Sequence, residues 1–168
     1  MYITSAVIFT GLLALGNAAA VDTHPVLVAE REAVGNGTLT WFTAPPGKRD
    51  ADRDLLVSRD TGCGTNNIKC SSGHPYHGPT CNTLISLLGS TYVLNGYQAV
   101  CLDLGVGQCC ISWSKATRFP IMQKDLVPSA QRSLNTCGLA RMSGQEWNVR
   151  LGDTCLSQCL SDRPTGCT

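Results

Sequence analysis

Ten cysteines dominate the reactive groups of this 168-residue chain: Cys63, Cys70, Cys81, Cys101, Cys109, Cys110, Cys137, Cys155, Cys159 and Cys167. An even count in a short stretch behind an export signal reads as a disulfide framework. Such bridges add about 2–4 kcal/mol each to a domain with a limited apolar core. Their pairing stays open, because ten cysteines allow about 945 complete pairings. The competing chemistry is metal binding. It would call for paired C-x-x-C knuckles, and none occurs. His74 and His77 stand three apart in SSGHPYHGPTC, but Pro75 and Gly78 make that stretch a surface loop. No metal and no cofactor is expected.

Acid–base chemistry would have to draw on His74 or His77 with Glu146 and Arg150. A ribonuclease needs such a set, to move a proton and to hold a phosphate. Glu146 and Arg150 lie four apart on an expected strand and so share a face. The simpler reading is a solvated strand face with a weak ion pair, and no catalytic residue is expected. A serine nucleophile would need a G-x-S-x-G turn, which is absent. A thiol nucleophile would need a free cysteine, which an even count disfavours. Lys115, Arg118 and Lys124 form a modest basic cluster that reads as solvated surface. With a net charge of +1 and no basic stripe, nucleic acid is not an expected partner.

The elements that must position these groups are organised around Cys81–Trp113. Cys81, Leu84, Ile85 and Leu88 fall at i, i+3, i+4 and i+7, which predicts a helix with a cysteine on its buried face. Thr80 is its expected N-cap and Gly89 its stop. Two strands follow, Tyr97 to Leu104 and Gln108 to Trp113, joined by a turn at Gly105-Val106-Gly107. Cys109 and Cys110 are neighbours in the second strand, so they must point to opposite faces and enter different bridges. Trp113 shares a face with Cys109 and Ile111 and reads as core.

Further strands are expected at Ile68 to Ser71 and Glu146 to Leu151. A second helix is expected at Asp125 to Thr136, with Asp125 as N-cap and Pro128 in its first turn. Leu126, Ala130, Leu134 and Cys137 mark its inner face. For the C-terminal CLSQCLSDRPTGC, a short helix capped by Asp153 is slightly preferred over a strand. The result is an α+β disulfide-rich domain, with two helices packed on an antiparallel β-sheet.

The N-terminal part reads as delivery. Met1 to Ala20 carries the apolar run Ala6–Leu15 and ends in small residues, which predicts a signal peptide cut at Ala20. Its n-region departs from the usual pattern by lacking Lys and Arg. Residues 21–49 read as a pro-segment ending in the dibasic Lys48-Arg49, and residues 50–168 as the bridged domain. GTLTWFTA, residues 37–44, alternates like a strand and is expected to be structural if it pairs with the domain. Asn36-Gly37-Thr38 is a glycosylation acceptor pattern. No later stretch is apolar enough to cross a bilayer, and there is no apolar tail for a lipid anchor. A secreted, extracellular monomer is expected.

The runs GCGTN, AVCLDLGVGQCCISWSK and MSGQEWNVRLGDTCLSQCLSDRP resemble the small secreted fungal proteins grouped as a WD-like domain family, over roughly residues 37–168. The resemblance implies secretion and a fungal source, and brings no activity or site residue with it. A more distant likeness is to the smut-fungus killer toxins, ten-cysteine α+β proteins. Cys109-Cys110 and the Cys155/Cys159 pair depart from their spacing. The expected function is a non-enzymatic effector or toxin-like module that binds an extracellular target, whether protein, wall polymer or membrane component. The alternatives are a secreted ribonuclease-type hydrolase and a structural protein of the wall or matrix.

Overall fold

The computed structural model describes residues 27–43, 63–64, 66–115, 120–138, 141–152, 154–165 and 167. Ala20, Lys48, Arg49, Arg118 and Asp153 therefore lie outside the described residues. The strands are β1 (Leu27–Val34), β2 (Gly37–Thr43), β3 (Asn67–Ser71), β4 (Val93–Leu94), β5 (Tyr97–Asp103), β6 (Gln108–Trp113), β7 (Ile121–Met122), β8 (Ser143–Leu151) and β9 (Thr154–Ser161). The helices are α1 (Gly78–Leu87) and α2 (Val127–Cys137). The expected α+β class is what is observed. Seven strands form one antiparallel sheet in the order β1-β2-β5-β6-β9-β8-β3, and β4 and β7 form a separate two-stranded ribbon.

Strand register sorts every side chain to one of two faces. Leu102 lies opposite Cys109, Val100 opposite Ile111, Ile111 opposite Leu160, and Glu146 opposite Gln158. These residues share a face, and both helices meet it. Cys81 of α1 is bridged to Cys109 of β6, and Cys137 of α2 to Cys70 of β3. The other face carries the remaining three bridges, Cys101–Cys110, Cys159–Cys167 and Cys63–Cys155. The expected split of Cys109 and Cys110 between two bridges on opposite faces is borne out. Trp113 is buried with Leu84, Leu88, Leu102 and Ile111 in the core, as read from the sequence.

Three local expectations are corrected. The C-terminal segment is strand β9, not a short helix. Leu156, Gln158 and Leu160 alternate onto the core face, and that period of two decides between elements that Cys155 and Cys159 alone cannot separate. Thr80 does not cap α1. It sits buried within the helix, and its hydroxyl donates to the Gly107 carbonyl at 3.0 Å and meets His77 Nδ1 at 2.8 Å. Asp125 does not cap α2; it is the third residue of a 3-10 turn, Gln123–Leu126, ahead of it, and its carboxylate accepts from the amide of Met122, the turn's N-cap, at 2.9 Å. Within residues 21–49 the described part is 27–43, where β1 and β2 form a hairpin with Gly35 at its turn (φ 58°). β2 pairs with β5 from Thr38↔Asp103 to Thr43↔Tyr97, burying Leu39 and Trp41. The expectation that 37–44 would be structural holds over 37–43. Asn36 is exposed at the hairpin tip, where an acceptor asparagine would have to be.

Tyr76 is 3% exposed, its hydroxyl has no hydrogen-bond partner among the described residues, and burial pushes its pKa up to about 12. A raised folded-state pKa on an acid means that the unfolded chain gives up the proton first. Stability is therefore full below pH 10 and falls as pH rises from about 10 towards 12. Tyr76→Phe is expected to flatten that alkaline loss and to leave neutral-pH stability equal or slightly higher. Urea midpoints measured from pH 7 to 11.5 check this; an unchanged alkaline slope in the variant would refute it.

Candidate recognition surface

The residues considered for catalysis are not brought together. Glu146 is fully buried, with its carboxylate taken up by structural partners. Ser129 Oγ of α2 donates to Oε2 at 2.7 Å, and Arg132 donates to Oε1 from Nε at 2.9 Å and from Nη2 at 2.7 Å. The expected solvated ion pair with Arg150 is overturned. β8 is bulged between Glu146 and Val149, where Asn148 takes φ 57°. The extra residue shifts the alternation, so Val149 turns to the core and Arg150 to solvent on the other face. The arginine that meets Glu146 is Arg132, one turn into a helix.

The two imidazoles go elsewhere. His74 Nδ1 lies 3.4 Å from Asp162 at the end of β9, and both side chains are part-exposed. His77 packs against Gly107, where an added Cβ would sit 2.6 Å from the His77 Cβ and 2.8 Å from the ring's Cγ. All ten cysteines are in bridges. Of the basic cluster, Lys115 and Lys124 are exposed.

Of the six exposed large apolar side chains among the described residues, Tyr92, Val93 and Met122 lie together at the small ribbon, while Val28, Leu87 and Val106 stand apart on β1, the end of α1 and the β5–β6 turn. Leu94 and Ile121, paired in register, turn inward, while their neighbours Val93 and Met122 turn out. Tyr92, just before β4, is 59% exposed. This loop is held firmly from below. The Gln123 amide donates to the Tyr92 carbonyl at 2.9 Å, the Lys124 amide to the Ser90 carbonyl at 3.2 Å, and Ser90 Oγ to Gln123 Oε1 at 2.6 Å.

Between this ribbon and the β1–β2 hairpin lies a recess of about 140 Å³, lined by Glu30, Glu32, Trp41, Tyr92 and Gln123. Register places Glu30 opposite Trp41 and Glu32 opposite Leu39. The Trp41 and Tyr97 rings meet at 5.3 Å, and the Tyr97 hydroxyl donates to Glu30 Oε2 at 3.0 Å. Partial desolvation and that carboxylate raise the Tyr97 pKa, so the phenol remains a donor to Glu30. A wider open groove of about 540 Å³ runs between α1 and α2, lined by Gly78, Pro79, Asn82, Leu134, Asn135 and Gly138. It contains no titratable side chain.

Neither glutamate of the recess was singled out from sequence. The available signal was the alternation Val28, Glu30, Glu32, Val34 directly before a second strand pattern, which marks a hairpin.

Fold and bridges together define a small disulfide-rich α+β protein. Within that class the chain belongs to the Fungal WD-like family, whose model matches residues 55–167. The match begins after β2, so it covers the bridged body and leaves out the hairpin. Comparison with curated proteins and with solved structures finds no match.

Proposed function

We propose that this protein is a secreted, non-enzymatic effector or toxin-like module that recognises a target outside the producing cell. The observation that carries the reading is the surface formed by Tyr92, Val93 and Met122, apolar side chains held outward on a ribbon whose inward residues, Leu94 and Ile121, are anchored in the core. A rigid scaffold presenting exposed apolar groups from loops is the arrangement of a binding site. Of the groups that acid–base catalysis would draw on, Glu146 is taken up by Ser129 and Arg132, and Arg150 turns to the other face of the sheet. Export is supported by five bridges, which persist in oxidising compartments, and by the apolar N-terminal run. No helix among the described residues is long and apolar enough to cross a membrane.

The test is a bioassay of the oxidised protein on competing microbial cells and on plant leaf tissue, beside a Val93→Asp/Met122→Asp variant. Both side chains are exposed, so the variant is expected to fold with unchanged circular dichroism and to lose the response. A variant that folds and retains the full response would remove this face from the function. If the wild-type protein draws no response from either cell type, a wall or matrix role takes its place.

A further inference from the structure

We propose that the recess between the β1–β2 hairpin and the β4/β7 ribbon receives a lysine or arginine side chain from a basic partner polypeptide, with the adjoining apolar surface taking a neighbouring apolar residue. The inference rests on the recognition reading above and names the chemistry of the partner. Four observations point to it.

The first is charge. Glu30 and Glu32 project from the same face of β1, two residues apart, and among the described residues the recess lining holds no cation. Tyr97 occupies one oxygen of Glu30; the other, and both oxygens of Glu32, have no hydrogen-bond or ion-pair partner among the described residues. Arg31 alternates to the opposite face of β1. Two like charges side by side repel, and an incoming cation relieves that repulsion.

The second is the wall. Trp41 and Tyr92 line the same recess, and aromatic faces attract ammonium and guanidinium groups. The third is size. About 140 Å³ is well below the roughly 300–1,000 Å³ of small-molecule sites, so one side chain fits where a nucleotide or oligosaccharide does not. A calcium ion is a poor match, because it needs roughly six to eight oxygen ligands. Among the described residues no group of three or more His, Cys, Asp or Glu could hold a metal. The fourth is continuity. Tyr92 belongs both to the recess wall and to the exposed apolar surface, so one short segment could engage both.

The probe is a capped pentapeptide of alternating leucine and basic residues, Leu-Lys-Leu-Arg-Leu, titrated into the full oxidised chain and followed by amide and indole NMR shifts. Its twin carries glutamate in place of both basic residues. Expected are saturable shifts centred on the Trp41 indole and the Tyr92 amide, weakened by added salt and absent with the acidic twin. Glu30→Gln/Glu32→Gln is expected to weaken binding about tenfold, equivalent to about 1.4 kcal/mol. Shifts that centre elsewhere, equal binding of the acidic twin, or unchanged binding by the double variant would each overturn the assignment. A failed titration beside a tissue response that Val93→Asp/Met122→Asp abolishes overturns the cation site and leaves the recognition face standing.

Discussion

Replacing Arg132 by alanine is expected to cost this protein about 2–3 kcal/mol of folding stability. Glu146 is wholly enclosed between β8 and α2, and its charge is tolerable there because Arg132 donates to it twice and Ser129 once. Removing one partner of a buried pair leaves the other desolvated and uncompensated, which costs about 3–5 kcal/mol when both are enclosed. Arg132 keeps 42% of its side chain exposed, so water takes over part of its role and the figure falls below that range. The expected fall in Tm is about 10 °C for a domain of this size. An Arg132→Met/Glu146→Gln double variant removes the charge at both ends and keeps an amide for Ser129 to meet. It should recover most of the loss. A single variant within about 0.5 kcal/mol of wild type would show that Glu146 is solvated after all.

The second large effect concerns the hairpin. Residues 50–168 hold all five bridges and the whole matched family region, yet without β1 and β2 this piece is expected to fold poorly and to self-associate. Deletion strips β5 of a partner along Thr38↔Asp103 to Thr43↔Tyr97. It also removes Leu39 and Trp41 from the core, leaving Val100 and Leu102 uncovered. Truncating a buried tryptophan alone costs about 3–5 kcal/mol, against a total stability of about 5–15 kcal/mol. An unpaired, apolar strand edge then becomes a template for association. Sedimentation of residues 50–168, with and without a synthetic peptide of residues 21–49, is the measurement. The peptide is expected to restore a monomer-sized complex and to bind in a saturable way. If residues 50–168 alone are monomeric and melt at the full-chain temperature, the hairpin is dispensable.

How far the sequence was legible depended on how local each signal was. β6 could be bounded because its residues alternate between core and bridge, and α1 because its apolar spacing repeats within one helix. The vicinal cysteines could be assigned to opposite faces from strand geometry alone. β9 was misjudged because Cys155 and Cys159, four apart, satisfy a helix and a strand equally. Arg150 was misplaced because the bulge at Trp147-Asn148 inserts one residue, so a face assigned by alternation from Glu146 is inverted beyond it, although alternation itself resumes from Val149 to Leu151. Arg132 as the partner of Glu146 had no local signal; the pair depends on α2 lying against β8. The recess was invisible for the same reason. Its lining comes from four separate segments that only the strand order β1-β2-β5 and the ribbon bring together.

The adjacent cysteines of β6 also check the alignment of the sheet during oxidation. Cys110 reaches Cys101 across the β5–β6 pair, while Cys109 reaches Cys81 on α1. A slip of one residue between β5 and β6 would bring Cys109 to the place of Cys110, and would turn the whole apolar set of β6 to the wrong side. Cys110 would then face α1, and the isomer sealed by oxygen would be Cys101–Cys109 with Cys81–Cys110. That isomer has the same mass and the same number of bonds as the native protein, but an inverted strand. Native connectivity at this dipeptide is thus a covalent record of correct alignment, and a peptide map across Cys109-Cys110 distinguishes properly folded protein from a misaligned isomer.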